Sequence, residues 1–207
     1  MVQREMHMKD SVVHAQTIVG IIGKPGSGKE TVFKLIAEKF SGNVYHAVFS
    51  APLTAFLRDM GYPEEKIDRS ALQLEAQCLN RHFGKGTVTR GLLLLIERSD
   101  APIVVADGVR WESDFEGLKS LEGPSIKCVM VYVVADPKKR FERLRARRER
   151  AGEKDLTWEM FLEQDNAENE RFIPRLGKQA DFPIDNNGTK EDLRRQVDDF
   201  CERFIRA

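Results

Sequence analysis

The sequence has no net charge, few cysteines and no long hydrophobic run. Its 207 residues include 33 lysines and arginines and 33 aspartates and glutamates, so the formal charges cancel. Because there is no global field of one sign, the composition does not favour a nucleic acid or a membrane surface as partner. No apolar stretch reaches the roughly 18 residues that a membrane-spanning helix needs. Any recognition of anions must therefore come from local groups of residues.

Cysteine is scarce and scattered along the chain. Cys78, Cys128 and Cys201 are far apart and form no CxxC pair. This spacing is typical of reduced, packed thiols in a cytoplasmic protein. The first 14 residues contain no apolar segment of the kind found in signal peptides. We therefore interpret residues 1–16 as a polar, flexible N-terminal extension and residues 17–207 as one domain, long enough to bury a sizeable core.

The most informative stretch is Gly23-Lys24-Pro25-Gly26-Ser27-Gly28-Lys29-Glu30-Thr31. It fits the phosphate-binding pattern G-x-x-x-x-G-K followed closely by a hydroxyl residue. Glycines allow the backbone to curl so that N–H groups point at phosphate oxygens, and Lys29 adds a positive charge within reach of the β- and γ-phosphates. An apolar, β-branched run precedes the loop and a helically periodic run follows it, which is the context that the motif requires. A chance glycine-rich turn is the alternative interpretation.

One position departs from this pattern. The residue after Lys29 is normally Ser or Thr, whose hydroxyl binds Mg²⁺. Here that residue is Glu30, and the hydroxyl comes one position later, on Thr31. A carboxylate beside phosphates must pair with the metal or with a cation, or point to solvent, and the pattern leaves these possibilities open.

The rest of the chain alternates between apolar and helical segments. Strands are predicted at 17–22, 44–49, 102–107, 126–134 and 181–185, and helices at about 31–40, 51–60, 69–83, 88–98, 113–121, 136–150, 157–171 and from 189 to the end. Such alternation predicts an α/β fold in which a parallel five-stranded sheet carries helices on both faces. Ligands of such sheets lie beyond the carboxyl ends of the strands, so the residues following each strand are the candidates for function.

Asp107 and Arg110 occupy one of these strand ends. Asp107 ends an apolar strand, where the second acid of a P-loop protein binds Mg²⁺ directly or through water. A turn or N-cap role before Gly108 is the alternative for Asp107. Arg110 could hold a phosphate with two hydrogen bonds, or it could be a surface arginine paired with Glu112 or Asp114.

The predicted helix at 136–150 carries a basic stripe. Its arginines recur at intervals of three, four and three residues, whereas Phe141 and Leu144 lie on another face; the stripe consists of Arg140, Arg143, Arg147 and Arg150. It could be a solvated face, it could bind nucleic acid, or it could clamp a triphosphate and neutralise charge during phosphoryl transfer. We favour the clamp, because the stripe accompanies a phosphate-binding loop and no interleaved aromatic residues are present to stack bases.

These residues together resemble the P-loop nucleotide kinase superfamily from about residue 17 onward. The loop at 23–31 is similar to that of adenylate kinases, in which glycine and then threonine follow the lysine. The segments at 49–53, 69–73, 81–84 and 107–112 resemble the acceptor side of phage-type deoxynucleoside monophosphate kinases, the last with one residue inserted. The segment at 180–189 is similar to the last strand and turn of dephospho-CoA kinases, but that family has an Asp-rich end to the second strand, where this chain has Phe49-Ser50-Ala51-Pro52.

The resemblance implies a three-layer α/β/α P-loop kinase fold with a helical lid at about 146–156. ATP and Mg²⁺ are the implied cofactors, with Asp107 and Thr31 serving the metal. The residues implied in nucleotide binding are Gly23, Pro25, Gly26, Ser27, Gly28, Lys29, Glu30, Thr31, Arg140, Asn187 and Gly188. The residues implied in acceptor binding are Ser50, Pro52, Arg69, Gln73, Arg81 and Arg110. The residues implied in catalysis are Lys29, Arg110, Arg143 and Arg147.

Three functions remain open at this point. The first is transfer of the γ-phosphoryl of ATP–Mg²⁺ to a nucleoside or deoxynucleoside monophosphate. The second is transfer to another small phosphorylated acceptor such as dephospho-CoA, and the third is a nucleotide-binding switch or ATPase that transfers nothing. The basic stripe and the region of Arg69 favour transfer, since a switch would need only the loop and Asp107. We expect a small-molecule nucleotide acceptor, neither nucleic acid nor membrane as partner, and a monomer or a homodimer.

Overall fold

Strands and helices alternate along the chain, as predicted. The computed structural model describes residues 16–63, 66–67, 69–147 and 155–205. The strands are β1 (Gln16–Ile22), β2 (Val44–Val48), β3 (Ile103–Val109), β4 (Ile126–Val134) and β5 (Phe182–Asp185). The helices are α1 (Lys29–Lys39), α2 (Ala51–Asp59), α3 (Arg69–Phe83), α4 (Thr87–Glu97), α5 (Glu112–Lys119), α6 (Pro137–Arg147), α7 (Trp158–Asp165), α8 (Glu168–Arg171), α9 (Ile173–Gly177) and α10 (Lys190–Phe204).

The five strands form one parallel sheet in the order β2-β3-β1-β4-β5. β1 is central, and Thr17 pairs with Ile103 on one side and with Lys127 on the other. Both faces of β1 are covered, which explains why its sequence is apolar without interruption and not alternately polar. The predicted α/β fold with helices on both faces of a parallel sheet is confirmed. The phosphate-binding loop therefore leaves the carboxyl end of the central strand.

Two apolar clusters cover the two faces of the sheet. Val19 and Ile21 pack with α1 and α10 on one face, where Phe200 is fully buried. The intervening residues of β1, Ile18 and Ile22, pack on the other face with α4, α5 and α9. This alternation follows from the two-residue period of a strand. The last helix, α10, buries an apolar face: Leu193, Val197 and Phe200 are buried and Phe204 packs against them.

Helix α10 begins as predicted. The Thr189 hydroxyl accepts a hydrogen bond from the Asp192 N–H at 3.1 Å, and the Asp192 carboxylate accepts one from the Thr189 N–H at 2.9 Å. These reciprocal bonds satisfy two backbone donors that the first turn of a helix leaves open. Ser50, which precedes α2, does not cap that helix in this way. It has helical backbone angles and its side chain makes no capping bond, while Pro52 lies in the first turn.

The segment predicted as one helix at 157–171 is broken. Asn166 ends α7, and its side-chain amide donates to the Leu162 carbonyl at 2.9 Å, a bond that competes with continuation of the helix. A separate turn, α8, follows, and then α9, which was not predicted and has Pro174 near its start. The basic stripe's Arg150, residues 1–15 of the predicted extension and residues 148–154 of the predicted lid lie outside the described residues. Among the described helices, none is long and apolar enough to cross a membrane.

The cysteines differ in their surroundings. Cys128 and Cys201 are buried and Cys78 is exposed on α3, so the prediction of packed thiols is confirmed for two of the three. Burial raises the pKa of the Cys128 thiol to about 12 and that of Cys201 to about 11. Both thiols therefore remain protonated, and poorly reactive, across the physiological pH range.

We expect one cysteine of the native protein to react with a thiol-specific alkylating reagent at pH 8. Cys78 should be modified within minutes because it is exposed, whereas Cys128 and Cys201 should react only after denaturation. Mass spectrometry of peptides after a timed quench measures the three sites separately. The Cys78→Ser variant is the control and should show no native labelling; labelling of Cys128 in that variant would contradict the buried assignment.

Candidate active site

The loop between β1 and α1 has the conformation that its glycines permit. Gly26 has φ of +77° and Gly28 has φ of +103°, both in the region that favours glycine. Other parts of the chain also approach these positions closely. A Cβ on Gly26 would lie 2.6 Å from the Arg140 carbonyl oxygen, and one on Gly28 would lie 2.1 Å from the Asn186 side-chain nitrogen. The loop is therefore built against α6 and the end of β5.

Asn186 joins the loop to β5. Its buried side-chain amide donates to the Ser27 carbonyl at 2.7 Å. The backbone carbonyl of Asn186 accepts a hydrogen bond from the Arg143 guanidinium at 2.9 Å. Only the next two residues of this turn, Asn187 and Gly188, were predicted to bind the nucleotide. Asn187 accepts from the Asp136 N–H at 2.8 Å, so it fixes the start of α6. The resemblance at 180–189 located the turn correctly, but it did not indicate which asparagine contacts the loop.

A buried charge cluster holds the other side of the loop. The Arg140 side chain is only 4% exposed and makes two hydrogen bonds to the Asp165 carboxylate, of 2.6 and 3.0 Å. The third nitrogen of the guanidinium, Nε, donates to the Ala135 carbonyl at 3.1 Å. Lys24, inside the loop, donates to the Asp165 carboxylate and to its backbone carbonyl, both at 2.9 Å. We call Lys24, Arg140 and Asp165 the loop anchor.

The loop anchor changes the interpretation of the basic stripe. Arg140 was predicted to share an open face with Arg143 and Arg147, but its guanidinium is turned into the protein and paired with Asp165. Arg143 is also engaged, through Asn186, and Arg147 is exposed at the end of α6. The stripe is therefore not one continuous basic surface. Asp165 was not predicted because it is distant in sequence from both of its partners.

Burial disfavours the charged form of Asp165, but hydrogen bonds and charge from Arg140 and Lys24 outweigh that effect. The pKa of Asp165 therefore lies below its usual value. The carboxylate is ionised at neutral pH and balances two cations.

Asp107 lies at the functional edge of the sheet. The register of β3 against β1 shifts at Gly108, which has φ of +102°, so the strand bulges directly after Asp107 and continues to Val109. Burial disfavours the Asp107 carboxylate, but the nearby charge of Lys29, helped by His46 and Arg110, outweighs burial and holds the pKa of Asp107 below its usual value. Asp107 is therefore an ionised carboxylate beside the loop lysine, as its predicted role with the metal requires.

His46 and Glu30 complete a group around Asp107. The ligand atoms of Glu30, His46 and Asp107 all lie within 4.8 Å of one another. His46 comes from β2 and its ring stacks on Phe33 of α1, with ring centroids 3.7 Å apart. Glu30 is exposed and forms a surface pair with Lys34 at 3.3 Å. Thr31, which was predicted to serve the metal, is exposed in the first turn of α1. His46 was missed because a single histidine in a short strand carries no pattern.

Arg110 follows the bulge, directly after the end of β3 at Val109. Its Nε is 3.5 Å from a carboxylate oxygen of Glu170, whose side chain is fully buried. The backbone N–H groups of Arg110 and Trp111 both donate to Asp114 at 3.0 Å. Burial raises the pKa of Asp114 even though Thr89 also donates to it at 2.7 Å. Neither Glu112 nor Asp114 is the ion-pair partner suggested by the sequence, and Glu170 was not predicted.

A cleft opens between the end of β2 and helices α2 and α4. Its volume is about 570 Å³, and its lining is mainly apolar, with Arg58 as the charged residue. Ser50 and Pro52, both predicted to bind the acceptor, belong to the lining, as do Val48, Ala51, Thr54, Ala55, Gly91 and Leu95. The other predicted acceptor residues are elsewhere. Gln73 and Arg81 lie on α3 and do not line the cleft, and the side chain of Arg69 lies outside the described part of the chain.

Comparison with known proteins assigns the family. A family model described as an AAA domain matches residues 19–172. A UPF0200 protein of Thermococcus gammatolerans is 31% identical over 195 residues, which are 92% of this chain and 96% of that protein. The chain belongs to the AAA-domain family and to the UPF0200 proteins. Solved structures that align with this chain confirm the predicted P-loop kinase fold.

Kinases are among these solved structures. A shikimate kinase from Bacteroides thetaiotaomicron aligns with a TM-score of 0.58 at 16% identity, over 90% of this chain and 97% of that one. A gluconokinase from Sinorhizobium meliloti aligns with a TM-score of 0.52 at 17% identity, over 92% of this chain and 94% of that one. At these identities the likeness establishes the fold alone. The UPF0200 protein therefore has a P-loop kinase fold.

We expect Asp165→Asn to lower the free energy of unfolding by roughly 3 kcal/mol, because it leaves the buried Arg140 guanidinium without its counter-charge. Urea denaturation at pH 7 measures the loss. The matched control is Asp198→Asn, which breaks the more exposed pair with Lys39 and should cost less than about 1 kcal/mol. Equal losses in the two variants would contradict the assigned role of the loop anchor.

The same pair gives stability a pH dependence. Because the folded-state pKa of Asp165 is lowered, its contribution is fully present above the unfolded-state pKa and is lost as the pH falls through the folded-state pKa. The difference in stability between wild type and Asp165→Asn should therefore shrink under acidic conditions below pH ~4. A difference that stays constant to low pH would contradict this linkage.

Proposed function

We propose that this UPF0200 protein is an ATP-dependent phosphotransferase that moves the γ-phosphoryl group of ATP to a nucleoside or deoxynucleoside monophosphate. The observation that carries the proposal is the common position of Lys29, Asp107 and Arg110. The charges of both basic residues act on the Asp107 carboxylate at the carboxyl edge of the sheet. A donor phosphate on the Lys29 side and an acceptor phosphate on the Arg110 side would then meet at Asp107.

The loop at 23–31 has the features that bind the donor nucleotide. Its glycines hold positive φ angles, and the Ser27 hydroxyl oxygen is buried without a hydrogen-bond partner among the described residues. Backbone N–H groups and the start of α1 supply partial positive charge to the phosphates, and Lys29 supplies a full charge. The proposed nucleotide contacts are those named from the sequence with the exception of Arg140: Gly23, Pro25, Gly26, Ser27, Gly28, Lys29, Glu30, Thr31, Asn187 and Gly188. Arg140 would act indirectly, by holding the loop, because its buried guanidinium is paired with Asp165.

A magnesium ion bound with ATP would neutralise charge on the β- and γ-phosphates. The residues present fit such an ion. Asp107 is ionised, its Oδ1 is buried without a hydrogen-bond partner among the described residues, and it lies beside the loop lysine. Thr31 is the second proposed metal residue; it is exposed in the first turn of α1, two residues after Lys29.

The acceptor side is proposed to consist of Arg110 and the cleft beside α2. The apolar lining of the cleft suits the flat face of a nucleobase, and Ser50 and Arg58 offer polar contacts at its walls. Arg110 would hold the acceptor phosphate, with Glu170 fixing the guanidinium from its buried side. Arg69, Gln73 and Arg81 would contribute only if α3 approached the bound acceptor.

The transfer itself needs little from an acid or a base. A phosphate acceptor is already an anion, so positioning and neutralisation of charge are the main requirements. Lys29 and Arg110 would act from the two sides, and Arg143 and Arg147 would add positive charge from α6. Arg143 is already held next to the loop through the Asn186 carbonyl, which is consistent with this role.

Screening of acceptors tests the proposed function. ADP release is measured with ATP–Mg²⁺ and a panel of nucleoside and deoxynucleoside monophosphates, with dephospho-CoA, shikimate and gluconate in parallel. The proposal expects the highest kcat/KM with one of the monophosphates. Preference for dephospho-CoA or for an unphosphorylated acceptor would move the assignment to another kinase class. Hydrolysis of ATP that no acceptor stimulates would favour a switch or ATPase.

Lys29→Ala should reduce kcat by a hundredfold or more and weaken ATP binding. The lysine would neutralise charge that grows on the transferred group, and loss of such an electrostatic contact typically costs about 3 kcal/mol of barrier. Steady-state kinetics and a nucleotide-binding titration measure the two effects. Lys39→Ala is the control, because that lysine pairs with Asp198 away from the loop. Unchanged turnover in Lys29→Ala would contradict the donor side of the proposal.

Arg110→Lys should raise the acceptor KM about tenfold and leave the KM for ATP nearly unchanged. The charge is kept but the two-pronged contact with phosphate is lost, and one charged hydrogen bond is worth about 1.5–3 kcal/mol. Initial rates with both substrates varied separate the two constants. Arg175→Lys is the matched control, since that arginine forms an exposed pair with Glu112. If the two variants behave alike, Arg110 is not an acceptor residue.

A further inference from the structure

The substitution of Glu30 for the usual hydroxyl residue coincides with a second unusual feature. His46 and Asp107, from two neighbouring strands, converge with Glu30 so that their ligand atoms lie within 4.8 Å of one another. A phosphate-binding loop that relies on Mg²⁺ uses oxygen ligands, and an imidazole nitrogen is not one of them. The histidine therefore needs an explanation of its own.

The group is pre-formed on its buried side. His46 Nε2 and Asp107 Oδ1 are both buried, and neither has a hydrogen-bond partner among the described residues. Buried polar atoms in native proteins normally have partners, so two such atoms in one group point to a ligand that both would share. His46 Nε2 is 3.9 Å from Asp107 Oδ2, which is too long for a hydrogen bond. Stacking on Phe33 fixes the plane of the imidazole.

Glu30 can complete the group from the solvent side. Its carboxylate now pairs with Lys34 at 3.3 Å, but both side chains are more than half exposed, so this pair is weak and easily exchanged. Ligands on opposite sides of a divalent ion are roughly 4.2 Å apart, given bonds of about 2.1 Å. A small rotation of the exposed Glu30 side chain would bring the three ligand atoms within that span.

We propose that Glu30, His46 and Asp107 form a binding site for a divalent transition-metal ion. One imidazole with two carboxylates is a ligand set that suits Mn²⁺, Fe²⁺, Co²⁺ or Zn²⁺, whereas Mg²⁺ strongly prefers oxygen ligands. The three side chains come from α1, β2 and β3. Three protein ligands would leave coordination positions that a phosphate oxygen could occupy. The inference adds a metal preference to the proposed function, but its test requires no nucleotide and no transfer.

Cobalt binding to the nucleotide-free protein tests the site. Co²⁺ is titrated into the full chain and followed by its visible absorption, which gains intensity when protein ligands replace water. We expect wild type to bind Co²⁺ and a hundredfold excess of Mg²⁺ to leave the signal unchanged. His46→Ala and Glu30→Gln should each weaken Co²⁺ binding about tenfold or more. Circular dichroism and a thermal melt establish that each variant is folded.

Two matched controls address non-specific binding. His82→Ala removes an exposed histidine on α3, and Glu38→Gln removes an exposed carboxylate on α1 that pairs with Arg194, so neither should affect Co²⁺ affinity. Wild type that binds no Co²⁺, or a folded Glu30→Gln variant that binds like wild type, would overturn the inference. If the His46→Ala variant is unfolded, the Co²⁺ affinity of Glu30→Gln by itself decides whether the site exists. Glu30 is exposed, so its substitution leaves the core intact.

The metal inference and the proposed function can fail separately. ATP binding is measured in the same variants with a fluorescent nucleotide in the absence of metal. If the protein binds ATP and transfers phosphate but does not bind Co²⁺, the proposed function stands and the transition-metal site is overturned. If it binds Co²⁺ through Glu30 and His46 but phosphorylates no acceptor, the metal site stands and the proposed function is overturned.

Discussion

The site depends on the contacts that fix the conformation of the phosphate-binding loop. A glycine-rich loop of positive φ angles has little conformational preference of its own, so its shape must come from its contacts. Asn186 bonds to the Ser27 carbonyl from the end of β5, Arg140 of α6 bonds to the Pro25 carbonyl, and Asp165 of α7 accepts from Lys24. These contacts hold the loop before any phosphate arrives, which reduces the entropy cost of binding.

The loop anchor also connects the two halves of the proposed reaction centre. α7, which supplies Asp165, packs against α6 through a separate apolar cluster containing Leu144 and Phe161. α8 follows α7 directly and supplies Glu170, the partner of Arg110. A shift of α7 would therefore disturb both the donor loop, through Lys24, and the proposed acceptor arginine, through Glu170. Through this arrangement, a nucleotide bound at the donor loop could affect how the proposed acceptor site binds its ligand, and the reverse.

The sequence was most informative where a function imposes a local pattern. The loop, the alternation of strands and helices, and the positions of Asp107 and Arg110 follow from spacing and hydrophobicity within short windows, and each could be predicted. Asp165, Glu170, Asn186 and His46 could not, because each acts on a partner that the fold brings close from a distant part of the chain. The same limitation explains why the environment of Arg140 was not predicted. Its helical spacing was recognised correctly, but the direction of its guanidinium is set by Asp165, which lies 25 residues away in the sequence.

The unusual residue after Lys29 is best understood together with its neighbours in space. The sequence left open whether the Glu30 carboxylate pairs with a metal, pairs with a cation or points to solvent. In the structure it pairs with a cation, Lys34. That pair is too exposed to account for the placement of His46 and Asp107, whose buried atoms point toward the same region. The pKa of Asp107 is lowered mainly by Lys29, against the effect of burial, so a negative charge is maintained there at neutral pH. An ionised buried carboxylate beside an imidazole is stabilised further by any divalent cation that both can bind. The replacement of a hydroxyl by Glu30 would then add a third ligand and a second negative charge, which favours a tightly held metal over one that arrives and leaves with the nucleotide.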